Sequence, residues 1–262
     1  MPSNSPPLWQ LPPGVPRGVW EYAHTEQVAN EYDDDLADHP LFDFDEEVLS
    51  KHLTKPGTAV DFGCGTGRAT MQLARRGFQV VAVDLSPSML EIVGRKANQE
   101  NLAPLVQRVQ ANLVELDCLA TATADCGVCL FSTLGMIRGR ENRQRALGHS
   151  RRIIKPGGTF ILHAHNIWHN FWNPLGRRWI GRHVWEAAHK KEVELGDKFF
   201  DYRGVPQVFV HAFPRRELTR AIHTAGFRIR ELITLDVKGD RTLKMPWLCG
   251  RLRAYGWIAV CE

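Results

Sequence analysis

The sequence predicts an α/β fold, a doubly wound parallel sheet covered on both faces by helices. Three observations carry this. Short apolar runs alternate with helix-compatible stretches from residue 58 onward, the rhythm of β-α-β units. The first run, Thr58-Ala-Val-Asp-Phe, opens directly into glycines at 63, 65 and 67 and then into a helical stretch. The second run ends in Asp84, 21 residues past Gly63.

Taken in order, residues 1–18 contain Pro at 2, 6, 7, 12, 13 and 16 and read as a flexible or polyproline-type leader. Residues 19–54 form an N-terminal extension with helical patterns over 19–38 and 45–54, where Asp45 caps Val48, Leu49, His52 and Leu53. After the first strand, residues 68–76 are helical and stop at Gly77 as at a C-terminal cap. The second strand, 79–84, is followed by Ser86-Pro87, a helix cap with proline in the first helical position. Strands are expected over 105–110 and 126–131, a helix over 141–153, and a strand over 159–163 after a turn at Lys155-Pro-Gly-Gly158. Residues 166–205, dense in Trp, His and Arg, break the rhythm as a late insertion. A helix over 215–224, closed by Gly226, and strands over 227–235 and 256–261 resume it. No internal repeat is visible, so residues 19–262 are read as one domain.

The chain has 262 residues, 44% hydrophobic and 24% charged, an ordinary globular composition with ample length for a core. No stretch approaches the roughly 18 apolar residues of a membrane helix. Six scattered cysteines fit reduced thiols, and the amino terminus lacks the basic start and apolar block of a secretory signal. A cytoplasmic location and no membrane partner are expected. The formal charge, 33 − 29 = +4, hides an asymmetry. Residues 21–47 hold eleven carboxylates and no Lys or Arg, whereas residues 138–182 hold ten basic side chains against Glu141 alone. The two blocks either pair with each other or bind an anionic partner.

Glycine is needed where backbone must approach a ligand closely or take a positive φ, and the helix that follows presents free N–H groups. Asp84, at the end of the next strand, stands where an acid accepts both ribose hydroxyls of a nucleoside. The G-x-G-x-G spacing and the anion Asp61 beside it disfavour a pyrophosphate and suit an ammonium.

With these residues the sequence resembles the class I S-adenosylmethionine-dependent methyltransferases. The resemblance rests on Val-Asp-Phe-Gly-Cys-Gly-Thr-Gly-Arg (60–68), Val-Ala-Val-Asp-Leu-Ser-Pro-Ser-Met-Leu (81–90), Gln-Ala-Asn-Leu-Val-Glu-Leu (110–116), Phe-Ser-Thr-Leu-Gly (131–135) and Lys-Pro-Gly-Gly-Thr-Phe (155–160). It implies a seven-stranded Rossmann-like sheet with an antiparallel last strand, and S-adenosyl-L-methionine as cofactor. The family pattern assigns Asp61, Gly63, Cys64, Gly65 and Gly67 to the aminocarboxypropyl end, and Asp84 with Leu85 to the ribose. Ser86, Met89, Asn112 and Leu113 are assigned to the adenine surroundings, and Phe131, Ser132 and Leu134 to the junction with substrate. Asn112 stands where many members have Asp, and an amide still hydrogen-bonds the exocyclic amine.

Methyl transfer from a sulfonium needs alignment, water exclusion and sometimes a base, and no metal. The insertion, rich in Trp and His, is expected to wall a flat or apolar small molecule, with His165 or His169 as the base and Tyr32, more than Tyr22, covering the site. The alternative is an RNA or protein substrate held by Arg177, Arg178 and the Trp cluster. More remote are a nicotinamide-dependent oxidoreductase and a non-catalytic nucleoside-binding relative. The sequence leaves the oligomeric state open.

Overall fold

The structure is a computed structural model that describes residues 6–36, 41–172, 174–190 and 192–262. Its strands are β1 (Thr58–Phe62), β2 (Gln79–Asp84), β3 (Val106–Gln110), β4 (Ala124–Cys129), β5 (Ile154–His165), β6 (Asp197–Tyr202), β7 (Val205–His211), β8 (Ile229–Thr234) and β9 (Gly256–Cys261). Seven of them form one sheet in the order β3-β2-β1-β4-β5-β9-β8, and β6 and β7 form a separate ribbon. Strands β1 to β5 pair in parallel, and β9 runs antiparallel to both β5 and β8. The chain leaves β1 toward β2 on one side and returns to β4 on the other, so the strand order reverses between β1 and β4. A crevice opens at that point, outside the carboxyl ends of the strands.

The helices are α1 (Arg17–His24), α2 (Glu26–Leu36), α3 (Leu41–His52), α4 (Arg68–Arg75), α5 (Pro87–Gln99), α6 (Arg140–Ile153), α7 (Pro174–His189), α8 (Arg215–Thr224) and the short α9 (Gly250–Arg253). Central strands read as continuous apolar runs because helices cover both faces: every residue of β9 is buried. On one face Phe160 stacks on Phe227 (4.8 Å) and meets Phe62 edge-on (6.1 Å).

The structure corrects four local expectations. The helix expected over 19–38 breaks at Thr25, which is extended and donates its hydroxyl to the Glu21 carbonyl at 2.6 Å; residues 37 and 38 lie outside the described residues. The next helix begins at Leu41, so Asp45 is not a cap but a buried mid-helix side chain. Lys155-Pro-Gly-Gly158 is not a turn before a strand but a bulge within β5. Ala124 and Cys126 of β4 face Ile154 and Thr159, and Gly157 takes φ +78° to absorb the extra residues. The leader from residue 6 to 16 is docked rather than flexible: Pro13 and Gly14 carbonyls accept from the Asn112 amide (2.9 Å) and the Arg138 N–H (2.8 Å). Its first five residues lie outside the described residues.

Within the late insertion, a 3-10 turn (Ile167–Trp172) leads to α7 and then to the β6–β7 ribbon, which runs on to His211. The ribbon turns on Arg203 and Gly204, at φ +48° and +77°, the pair of positive values that a two-residue type I′ hairpin requires. Arg-Gly is a weak turn signal beside Asn-Gly, which explains why the ribbon is illegible in the sequence. Helix α1 lies against it so closely that a Cβ at Gly18 would sit 2.1 Å from the Gln207 carbonyl oxygen.

Among the described residues, acids and bases of the two charge blocks find partners outside the opposite block. Asp33 and Asp45 pair with Lys96 and Arg68, and Glu31 with Arg203; the basic block sends Arg143 to Glu194 and Glu217, and Lys155 to Asp125.

Candidate functional site

The turn after β1 is tied to β2 before any ligand is considered. The N–H groups of Gly63 and Cys64 both donate to the Val83 carbonyl (2.8 and 2.9 Å), and Gly67 N–H donates to the Cys64 carbonyl (2.9 Å). Gly63, Gly65 and Gly67 all take positive φ, and a Cβ at Gly63 would lie 2.1 Å from the Thr133 methyl. Only glycine fits there. Asp84 closes the far side of this cradle. Its carboxylate accepts from Gly65 N–H (2.8 Å) and Ser86 N–H (2.9 Å), one bond to each oxygen. Asp84 lines the pocket, and a carboxylate has more acceptor sites than these bonds use, which is how one carboxylate can serve two hydroxyls. Burial raises the Asp84 carboxyl above its ordinary range, and the backbone N–H bonds oppose that rise.

Asp61 is buried, accepts from the Thr70 hydroxyl at 2.7 Å, and is pushed up to about 6 by burial against the lowering effects of Thr70 and Arg68. Arg68, the first residue of α4, reaches back over the Phe42 ring (4.0 Å to its centre) and pairs through Nη2 with Asp45 (2.7 Å). Its Nη1 is buried with no hydrogen-bond partner, a guanidinium donor left over beside the glycine cradle. Burial lifts Asp45 to about 6, with Arg68 pulling the other way. Helix α2 is pinned to the loop by Asp33, which accepts from the Thr66 hydroxyl (2.6 Å) and pairs with Lys96 (2.6 Å).

The glycine loop, Asp33, Asp61, Arg68 and Asp84 line a cavity of about 740 Å3 at the switch point. Of the residues singled out from sequence, Tyr32, Asp61, Gly63, Cys64, Gly65, Gly67, Asp84, Leu85, Asn112, Leu113, Phe131, Ser132 and His165 reach its wall. Four do not. Ser86 is spent capping α5, its hydroxyl accepting from Met89 N–H, and Met89 and Leu134 are buried in apolar clusters. His169 sits edge-on to Tyr255 (5.1 Å) off the pocket, with a pKa lowered by burial. Of the two histidines, only His165 at the end of β5 is therefore placed for chemistry. Its backbone N–H donates to the Ser132 hydroxyl (3.3 Å), and its ring meets Phe131 and Tyr255 edge-on (6.1 and 5.1 Å). Phe131 and Ser132 are both in the left-handed region (φ +50° and +62°), strain of a kind that collects at functional sites.

Asn112 reaches the wall, but its amide N–H holds Pro13, and only its oxygen, already accepting from Val114 N–H (3.2 Å), retains a lone pair for a ligand. Cys64 is a packing residue whose thiol is held protonated by burial. The Tyr22 and Tyr32 hydroxyls bond to one another, and burial raises both well above the ordinary tyrosine range. Tyr32 is thereby a donor at neutral pH and not a base.

Sequence reasoning missed the apolar half of the wall: Val15, Val19, Met136, Ile137, Phe200, Tyr202 and residues 208–210. Most of these come from the leader, α1 and the ribbon, whose docking no local pattern announces. Arg68 could have been found, because it directly follows the last glycine at the start of a helix.

Residues 60–162 match the family model described as a methyltransferase domain. Over that span the chain is similar to methyltransferase domains. A putative methyltransferase of Bacillus subtilis, YqeM, is 25% identical over 133 residues, 51% of this chain and 52% of that protein. The demethylmenaquinone methyltransferase of Thermus thermophilus is 28% identical over 199 residues, 71% of this chain and 83% of its own length. The chain spans about half the length of the first curated relatives it matches (52% and 55%). The crystal structure of a SAM-dependent methyltransferase from Methanosarcina mazei superposes with a TM-score of 0.64 at 19% identity, covering 82% of this chain and 95% of that one. That likeness establishes the methyltransferase fold, with β9 as its antiparallel strand.

Proposed function

We propose that the protein transfers a methyl group from S-adenosyl-L-methionine to a small, largely apolar molecule bound beside it. The observation that carries the cofactor half is the caged carboxylate of Asp84, held by Gly65 and Ser86 at the end of β2 on the cavity wall. The residues present fit that group. Asp84 offers its oxygens to ribose hydroxyls, the orphaned Nη1 of Arg68 suits the amino-acid carboxylate, and the nearby anion Asp61 suits the ammonium. The bound cofactor supplies an electrophilic methyl on a sulfonium.

The chain's own part is binding, orientation and water exclusion. The leader, α1 and the ribbon enclose the cavity with Val15, Val19, Phe200 and Tyr202, a wall that favours an apolar acceptor. Tyr32 donates a hydrogen bond there, and His165 is the group placed to take the acceptor's proton. Arg177 and Arg178, which a nucleic-acid substrate would need, are exposed on α7 and line no part of the cavity. The six free cysteines, four of them buried, support a reducing, cytoplasmic setting.

Calorimetry is the direct test: S-adenosylmethionine and its demethylated product should both bind, and Asp84→Ala should weaken both by roughly 10- to 100-fold, the worth of charged hydrogen bonds. Binding of a nicotinamide dinucleotide instead would refute the reading. Label from S-adenosylmethionine should pass to a metabolite fraction; label retained only in RNA or protein would move the acceptor to those classes.

A further inference from the structure

Away from the pocket, two stretches leave large apolar side chains in water. Trp172, Leu175 and Trp185 are 55%, 72% and 59% exposed, and Trp247 and Leu248 are 79% and 48% exposed. The stretches form one surface. The Trp172 indole N–H donates to the Leu252 carbonyl (2.6 Å), and the Asn166 amide donates to the Arg251 and Ala254 carbonyls (2.8 Å each). Arg253 donates to the carbonyls of Lys244, Met245 and Leu248, which folds the 244–248 loop back onto α9.

Helix α7 buries Ile180 and His183. Its opposite side carries Leu175, Arg178, Arg182 and Trp185, spaced three, four and three residues apart and so aligned in one exposed stripe. Segments 166–190 and 244–253 together contain seven Lys or Arg (177, 178, 182, 190, 244, 251, 253) and one acid, Glu186, a balance of 7 − 1 = +6. Glu186 pairs with Arg182 (3.1 Å) and approaches Lys190 (3.7 Å), leaving the other cations without an acidic neighbour within either segment.

We propose that this surface docks on an anionic lipid bilayer. Trp172, Trp185 and Trp247 enter the headgroup region with Leu175 and Leu248, and the surrounding basic side chains meet lipid phosphates. Tryptophan favours that depth because its ring is apolar and its N–H polar, and each Lys or Arg near an anionic leaflet adds attraction. No helix among the described residues is long and apolar enough to cross a membrane, which bears on spanning and not on lying at the surface. Lipid is favoured over a nucleic acid for two reasons. Leu175, Met245 and Leu248 would find no apolar partner on a sugar-phosphate strand. Trp179 and Trp185 also have one ring face stacked on His183 and His189 (4.9 and 4.6 Å), which halves the face open to a base.

The test is co-sedimentation of the full chain with phosphatidylglycerol vesicles and, separately, with phosphatidylcholine vesicles. The protein should sediment with the first and not the second, less so at high salt. Trp247→Asp and Arg178→Glu should each raise the lipid concentration for half-binding about tenfold or more. Trp9→Asp, at an equally exposed tryptophan outside this surface (80%), should change nothing, and unchanged melting of all three variants confirms that they fold. Failure to sediment with phosphatidylglycerol, or sedimentation that Trp247→Asp and Arg178→Glu leave intact, overturns the proposal. So does transfer RNA binding that Arg178→Glu weakens while vesicles are ignored, which would make the surface a nucleic-acid platform.

Discussion

At the scale of single residues, Asp61 and Gly63 bear opposite kinds of constraint. Asp61 is a charge held in a dry place, pushed up to about 6 chiefly by burial. A cationic ligand beside it favours the ionised form, so affinity for S-adenosylmethionine should fall as pH drops through about 6, where Asp61 takes up its proton. Calorimetry from pH 5 to 7.5 reads this, and in Asp61→Asn the pH dependence should flatten; an unchanged profile in that variant would assign it to another group. Gly63 is a matter of space, since its φ of +78° and the Thr133 methyl 2.1 Å from a would-be Cβ leave no room. Gly63→Ala must displace the loop from Val83 and should reduce cofactor affinity by more than tenfold, whereas Gly148→Ala, on α6 with nothing within 4 Å, should not. Both the glycines and Asp84 were legible in the sequence, because a positive-φ loop after a strand and an acid at the end of the next strand are local features at fixed spacing. The choice between His165 and His169 was not, for the first ends β5 and the second follows it within a few residues, and only the packed chain puts His165 on the cavity wall and His169 off it.

At the scale of elements, the β6–β7 ribbon that walls the pocket is fastened through one buried guanidinium. Arg143 of α6, 2% exposed, pairs with Glu194 and Glu217 and donates to the Ile137 carbonyl (3.2 Å). His211 of β7 bridges Asp197 (2.8 Å) and Glu217 (3.1 Å). Burial alone would raise Asp197 and Glu217, but their bonds to His211 and the charge of Arg143 hold both below the ordinary carboxylate range. A depressed folded-state value means that this stabilisation is present above the unfolded carboxylate value near 4 and is lost as pH falls through the lower folded ones. Arg143→Leu strands these buried acids and should cost about 3–5 kcal/mol in urea unfolding. Exposed Arg182→Leu should stay within about 0.5 kcal/mol. Equal effects of the two would remove the ribbon's fastening as an explanation. The network joins residues 51 and 74 positions apart, so no window of sequence contains it. The bulge in β5 was half visible: Pro-Gly-Gly signalled irregular backbone, yet only pairing with β4 shows that the strand continues through it.

At the scale of the whole molecule, the cavity ties together segments far apart in the chain, since the leader, α2, the glycine loop and the ribbon share one wall. Ligand at about 100 times its dissociation constant adds roughly 2.7 kcal/mol to stability, which for a domain of this size raises the melting temperature by about 5–10 °C. S-adenosylhomocysteine should produce that shift in a melting experiment and a nicotinamide dinucleotide should not; the reverse result would move the chain to a different cofactor. The sequence alone determined the alternation of strands and helices, the ligand loop and its acid, and hence the methyltransferase fold. Each of these follows from backbone sterics and apolar period within a few residues. Tertiary structure alone decided that the leader closes the pocket, which histidine faces it, and that the two charge blocks pair elsewhere. It also exposes Trp172, Trp185 and Trp247 on a common surface. Those outcomes depend on which distant faces bury each other, and burial is a property of the packed chain rather than of any stretch of it.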